Sequence, residues 1–421
     1  MSWLQWDTNL KIRLVGETFF SIFLWMLLPF MTLYFSDQFG KNIAGLLLII
    51  PPILGMGLSL FGGRLADKLG RRPIMLVAVG IQAIMFFIFF LSSSPWLDFF
   101  AFTGLTLGAS LYHPASEAMV ADLTNEEERN FVFAMFYTAM NLGVVAGPLL
   151  GAFFFVHYRT ELLFACMLVS LAMLLVYFFI LRETKPEQPK QSDKTNVAIK
   201  KKESWLLNEL RSFKIIFTDK VFGLYILAGT AVFMAFLQMD LYMAVYIKEN
   251  VTAQSLIWWG NWSFNLEGAS FFGWMMALNG FMVVTLTAAI TRSISAWSDK
   301  KAFMVASLLG GLGFFLMSFS SNIWYLFFCM MVLTLGELIR TPVALGFISK
   351  YAPEHQRGQY MGASTLQFTF GRTFAPLLVT LSSLFGPFVI FSMIFLFALL
   401  SIYFYQRMFA SLEKREKSLS A

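Results

Sequence analysis

Twelve apolar runs follow one another along the chain, at residues 14–36, 43–63, 74–93, 97–120, 131–156, 162–181, 221–247, 271–291, 302–320, 323–348, 359–383 and 386–407. Each is close to the roughly 20 residues that a helix needs to cross a roughly 30 Å hydrocarbon layer. Backbone groups in lipid must be satisfied within the segment, so the runs predict helices. The third-to-fourth and ninth-to-tenth connections are short and predict antiparallel neighbours. Two polar stretches break the rhythm. Residues 183–220 contain Pro186, Pro189 and Lys200-Lys201-Lys202, and read as a linker between six-helix bundles at 1–182 and 221–408, with a tail at 409–421. Residues 248–270 hold Trp258, Trp259 and Trp262. Tryptophan prefers the membrane interface, so this connection is expected to lie along the membrane surface. The predicted fold class is an all-α membrane protein of twelve transmembrane helices in two six-helix bundles.

Charge orients the pattern. Of 31 basic residues, three (Lys41, Arg159 and Lys248) fall in odd-numbered connections and two (Arg340 and Arg372) within helices. The rest lie in the even-numbered connections and at the termini. Cytoplasmic loops carry the excess of Lys and Arg, so both termini are expected in the cytoplasm. The Lys-rich linker can also touch anionic lipid, although topology alone explains it.

Composition adds exclusions. The 421 residues are 58% hydrophobic and 13% charged, with 49 Phe and a mean hydropathy of +0.68. Soluble domains carry about 25% charged residues, so lipid is the solvent here. Cys166 and Cys329 sit in apolar runs and read as small core residues rather than a disulfide or zinc site. The first apolar run is too long for a signal-peptide core, and no small-residue cleavage site follows it. The three histidines, His113, His157 and His355, form no HExxH pattern, and no nucleophile–base pair is evident. A membrane enzyme, a metal site and a nucleic-acid partner are all disfavoured.

The chain also repeats itself. Residues 105–150 and 333–378 share eleven identities at an offset of 228. They include Leu105-Thr106-Leu107-Gly108 with Leu333-Thr334-Leu335-Gly336, Pro114 with Pro342, Arg129 with Arg357, Gly143 with Gly371, and Pro148-Leu149-Leu150 with Pro376-Leu377-Leu378. About three identities would arise by chance at average composition. A duplicated architecture in a membrane chain points to a transporter with its site at the repeat seam. Ala109 in the first copy becomes Glu337 in the second.

Ionisable residues inside membrane helices are costly and point to function. Glu17 lies in the first span, His113 and Glu117 in the fourth, Asp240 in the seventh, Glu337 and Arg340 in the tenth, and Arg372 in the eleventh. Arg340 stands one turn from Glu337 and can pair with it. Glu17 can pair with Arg13 at the interface. His113 and Glu117 fit either a cavity or a gate. Asp240 has no cation one turn away, which makes it the favoured titrating group, with Arg372 as a distant partner. A carboxyl withdrawn from water takes up a proton more readily, as coupling requires.

Gly63-Arg64-Leu65-Ala66-Asp67-Lys68-Leu69-Gly70-Arg71-Arg72-Pro73 matches the G-x-L-A-D-x-x-G-R-R signature of the major facilitator superfamily, which the chain resembles over essentially its whole length. The corresponding second loop is worn to Trp297-Ser298-Asp299-Lys300-Lys301. The resemblance implies a cytoplasmic gate: Asp67 faces the start of the eleventh helix, whose dipole favours an anion. Arg71 reaches Asp122, and Arg72 and Arg129 belong to the same region. It also places the first, fourth, seventh and tenth helices around the cavity. Gly143, Gly147, Pro148 and Gly151 partly match the antiporter signature of the fifth helix, with Phe136 and Ala152 where that signature has glycine. They fit close helix packing equally well. Gly104 stands where the superfamily often has an arginine.

A closer similarity is to LmrP-like multidrug/proton antiporters, through Leu335-Gly-Glu337-x-x-x-Thr-Pro342, Gln238-x-Asp240, Asp122 and the opening Asp7 to Arg13. An acid on the fifth helix of that family is Phe136 here, which leaves fewer coupled protons or a role for Glu17. The resemblance implies a proton-driven exporter of lipophilic cations by alternating access. It would work as a monomer in a bacterial plasma membrane, with the proton as coupling ion and no cofactor. A proton-coupled lipid or glycolipid flippase and a nutrient/proton symporter remain alternatives.

Overall fold

The computed structural model describes residues 6–185, 218–259, 262–353, 360 and 363–420. Most of the linker, and positions Arg357 and His355, lie outside the described residues. The first sequence half forms α1 (Thr8–Leu47), α2 (Ile50–Leu69), α3 (Arg71–Leu91), α4 (Pro95–Leu123), α5 (Glu126–His157) and α6 (Arg159–Ile180). The second forms α7 (Lys220–Phe236), α8 (Tyr242–Asn250), strands β1 (Gln254–Trp259) and β2 (Trp262–Leu266), then α9 (Gly268–Ser293), α10 (Asp299–Met317), α11 (Ile323–Tyr351), α12 (Leu366–Phe374), α13 (Leu377–Leu381) and α14 (Pro387–Ser420). Nine helices are long and apolar enough to cross a membrane among the described residues, so the protein is a multi-pass membrane protein. The expected twelve are not reached: α2 and α4 are long enough but not apolar enough to be counted, and the eleventh run is broken and starts outside the described residues.

Local chemistry sets the ends. Asp7 caps α1 by accepting from the Asn9 N–H at 2.7 Å. Asp219 caps α7 through Val221 and Phe222, and Asn322 caps α11 through Trp324 and Tyr325. Such caps satisfy N–H groups that no helix can satisfy itself. Prolines sit in the first turns of α2 and α4, where no donor is lost. Gly40, at φ 78°, breaks the helical path inside α1.

The repeat is structural. α4 and α11 begin and end 228 residues apart, as do the starts of α3 and α10 and of α6 and α14. Its recurring letters have equivalent jobs. Thr106 and Thr334 bond back to Phe102 and Met330 carbonyls. A Cβ on Gly108 would lie 3.3 Å from the Ala78 carbonyl, and one on Gly336 2.6 Å from that of Ala306. Each glycine marks the closest approach of paired helices, α3 to α4 and α10 to α11. The caps Asp7 and Asp219 stand 212 apart instead. The offset is back to 228 by the start of α10, and between α8 and α9 lies a segment without counterpart between α1 and α2, in which β1 and β2 pair antiparallel. The Trp-rich connection is a β-hairpin, with Trp258 76% exposed. Its strands satisfy each other's backbone.

Two compact units result. The first comprises Met1–Glu187, Asp240–Gly280 and Pro376–Leu384; the second comprises Gln188–Met239, Phe281–Ala375 and Phe385–Ala421. Three of the five divisions fall inside the seventh, eighth and eleventh runs. In two of these the helix itself breaks: α7 passes into a 3-10 turn at Leu237–Met239 before α8, and Pro376 separates α12 from α13.

Candidate functional site

In the first unit, Arg71 is the hub of the α2–α3 turn. Its Nε lies 2.9 Å from Asp122 Oδ2, its Nη1 lies 3.0 Å from Asp67 Oδ1, and its Nη1 also donates to the Ala66 carbonyl. Asp67 itself is largely exposed. Arg72 donates to the Phe178 carbonyl at 2.6 Å. Gly63 packs near Pro114. Arg129 lies on α5 with its side chain outside the described residues, as does the start of the eleventh run that Asp67 was expected to face.

Glu183, just after α6, completes this turn and was not singled out from the sequence. It accepts the Arg71 N–H at 2.9 Å and the Arg72 N–H at 3.1 Å, capping α3 from the segment that follows α6. Partial burial works against its charge, but the N–H groups of Lys185, Arg71, Arg72 and Thr184 outweigh this and lower its pKa. A depressed carboxyl pKa gives stabilisation that is present above the ordinary glutamate value and lost only as pH falls through the lowered one. Glu183 therefore stays ionised across working pH and is a poor proton carrier. Gly70, at φ 111°, is required here, since a Cβ would strike Glu183. Glu183→Ala is expected to cost about 1 kcal/mol, the low end for a lost cap at an exposed site. Thermal unfolding should show the fall, with Glu183→Gln losing less.

A buried polar cluster lies deeper in the same unit. Glu17 is 4% and Arg13 3% exposed. They do not form the expected interfacial pair: Arg13 donates to Ser116 and stacks 4.0 Å over Phe136, while Glu17 lies 3.7 Å from His113 Nδ1. Phe136, standing where a related family has an acid, thus holds a cation by its ring face. Tyr112 and Tyr177 share a hydrogen bond beside them. Glu117 is exposed. Asp240 sits in the break between α7 and α8, half-buried, and its carbonyl accepts from Thr32 at 3.3 Å. Leu241, with ψ −92°, carries the chain around it.

The antiporter-like glycines face α1. A Cβ on Gly143 would meet Ser21, on Gly147 Trp25 and the Met26 N–H, and on Gly151 the Met26 carbonyl. Pro148 follows in the same helix. A third cluster joins α1, α4 and α6. Asp98, 2% exposed, accepts from Arg159 at 2.8 Å and from Tyr34, and Arg159 lies 4.2 Å over the Tyr34 ring. Sequence reading had put Arg159 in a connection and passed over Asp98. The signal was an acid at the start of the fourth apolar run and a base just before the sixth.

In the second unit, Arg340 is buried on α11. It donates to Gln367 Oε1 at 3.2 Å and stacks 4.4 Å over Phe233. Gln367 is 2% exposed; it was missed, although an amide well inside the eleventh run was its signal. A Cβ on Gly229 would overlap that amide. Glu337 and Arg372 are half-buried. The candidate charges are thus divided: Glu17, His113 and Asp240 belong to the first unit, and Glu337, Arg340 and Arg372 to the second. Among the described residues, no group of three or more His, Cys, Asp or Glu could hold a metal ion.

The Major Facilitator Superfamily model matches residues 14–259 and 255–420. The chain is 39% identical, over 98% of each chain, to a Na(+), Li(+), K(+)/H(+) antiporter of Planococcus maritimus. It is 24% identical to multidrug resistance protein MdtH of Proteus mirabilis, over 85% of this chain and 81% of that one. The crystal structure of a POT family transporter in complex with 5-aminolevulinic acid matches with a TM-score of 0.75 at 16% identity, covering 97% and 98% of the two chains, which shows the fold alone. With its signature turn, its helical repeat and a family match spanning almost every residue, the chain belongs to the major facilitator superfamily of membrane transporters.

Proposed function

We propose that the protein is a proton-coupled cation antiporter that exports monovalent metal cations across the plasma membrane. Twelve spans, both termini in the cytoplasm, a monomer and no cofactor beyond the proton complete the reading. The observation that carries it is a carboxylate set in a broken membrane helix. The helix gives way at 237–241 to a 3-10 turn and an irregular joint, and broken helices of transporters use main-chain oxygens to hold small cations. The 39% identity to a metal cation/proton antiporter supports the same class of substrate.

Exchange then follows from competition. A cation and a proton cannot occupy one carboxylate together, so uptake of a proton from outside releases the cation there. Return of the proton to the cytoplasm restores the anionic site. Glu17 and His113 form a second proton-accepting pair, and Arg340 with Gln367 keeps a fixed positive charge in the second unit. The Arg71–Asp122 pair and its neighbours act as the cytoplasmic gate. A second reading, export of lipophilic cations, is favoured by the likeness to MdtH.

Everted vesicles with an acidic interior, monitored by a pH-quenched dye, test both. Adding Na+, Li+ or K+ should dissipate the gradient, and Asp240→Asn should reduce the response at least about tenfold, as expected for a group required in the rate-limiting exchange. Alkali cations without effect, with accumulation of a fluorescent lipophilic cation intact, would leave the second reading in place of the first. An unchanged response in Asp240→Asn to both would remove Asp240 from the site.

A further inference from the structure

The last helix, α14, runs for 34 residues, from Pro387 to Ser420. At 1.5 Å per residue this is about 51 Å, well beyond a hydrocarbon layer of roughly 30 Å. Its final turns therefore emerge from the apolar layer, and they do so beside the start of α7. A groove of about 370 Å³ opens between the two, lined by Lys220, Leu224, Tyr403, Phe404, Arg407 and Lys414 with Ala410 and Ser411. Among the described residues no acid lines it. Two carboxylates near it are engaged elsewhere: Asp219 accepts from Val221, Phe222, Tyr351 and Tyr360, and Glu413 pairs with Lys300.

The groove is amphipathic along its length. Lys220, Arg407 and Lys414 are exposed at its rim. Leu224 stands one turn further into α7 than Lys220, and Tyr403 one turn further into α14 than Arg407. The Tyr403 hydroxyl accepts from Arg407 Nε at 3.3 Å, and the guanidinium lies 5.3 Å over the ring. Tyr403 is 48% exposed. Positive charge thus lies above an apolar wall at the level where a leaflet places its head groups.

We propose that this groove binds an anionic phospholipid of the cytoplasmic leaflet. Its phosphate would lie among Lys220, Arg407 and Lys414, and an acyl chain would run along Leu224, Tyr403 and Phe404. Arginine matches the phosphate oxygens in a planar fork and the lysines add point charges. Basic pockets between membrane helices recognise anionic head groups by this chemistry. A free phosphate ion would satisfy the cations and leave the wall uncovered.

The test uses the purified full chain in detergent, with dioleoylphosphatidylglycerol, dioleoylphosphatidylcholine or sodium phosphate added at constant ionic strength. Native mass spectrometry reads bound lipid, and thermal unfolding reads stabilisation. Phosphatidylglycerol should be retained and should raise the apparent melting temperature, while phosphatidylcholine and phosphate should not. Lys220→Gln/Arg407→Gln/Lys414→Gln should lower retention about tenfold, corresponding to about 1.4 kcal/mol. Lys220→Arg/Lys414→Arg should keep it. Lys300→Gln/Lys350→Gln should keep it too, since those lysines already face Glu413 and Asp299. Equal effects of the two lipids, stabilisation by phosphate alone, or an equal loss in the control variant would each overturn the proposal.

Discussion

Gly147→Leu is expected to yield no monodisperse protein. The reason lies in the main chain of α1. A Cβ at position 147 would lie 2.8 Å from the Trp25 carbonyl carbon and 3.0 Å from the Met26 nitrogen, besides striking the Trp25 side chain. A rotamer change cannot relieve main-chain overlap, so α1 and α5 would have to separate. Gly143 and Gly151, one turn away on either side, fix the same approach. Even one added methyl in a packed interior costs about 1–3 kcal/mol, and leucine adds three more carbons. Gly147→Ala should give an intermediate loss in size-exclusion and thermal-shift measurements. Gly80→Ala is the matched control, because nothing lies within 4 Å of its added carbon. There alanine should stabilise the helix by up to about 1 kcal/mol. A well-behaved Gly147→Leu protein would show that the two helices are not packed as described.

The second large effect is expected from Asp98→Ala. Removing one member of a buried ion pair costs about 3–5 kcal/mol because the other charge is left behind. The Arg159 side chain is 29% exposed and can reach some solvent, so about 2–3 kcal/mol is the better expectation. The Asp98 side chain is almost fully buried and also holds Tyr34, which deepens the loss. The apparent melting temperature should fall by at least roughly 5 °C. Asp98→Leu/Arg159→Leu should recover most of it, since an apolar pair leaves no orphaned charge. If the double variant is no better than the single one, the cost arises from packing rather than from charge.

Much of the architecture was legible because the membrane simplifies the problem. Apolar runs must be helices, and the offset of 228 survives at the ends of α4 and α11 to the residue. The α2–α3 turn was legible as a string of letters, but its physical logic was not. Glu183 lies 112 residues from Arg71, and nothing in the signature announces a cap supplied by the segment that follows α6. Gln367 and the Asp98–Arg159 pair were hidden for a related reason. Sequence patterns find charges within one helix, whereas these groups are explained only by neighbours across helices. The break at 237–241 was invisible too. Its residues are as apolar as a continuous helix would need, apart from Gln238 and Asp240. Arg13 shows the opposite error: its spacing to Glu17 suits a pair, but the ring of Phe136 and the hydroxyl of Ser116 take the guanidinium instead.

The hairpin between α8 and α9 has a practical consequence. It has no counterpart between α1 and α2, and after it the starts of α10, α11 and α14 all stand at the 228-residue offset. It behaves as a graft on a duplicated template, not as a strut of it. A segment that the scaffold carries without depending on it is the place to splice an epitope or a fluorescent reporter, because such tips tolerate insertion best. A tag carried there would report which face of the membrane the hairpin occupies, leaving every span and both termini in native sequence.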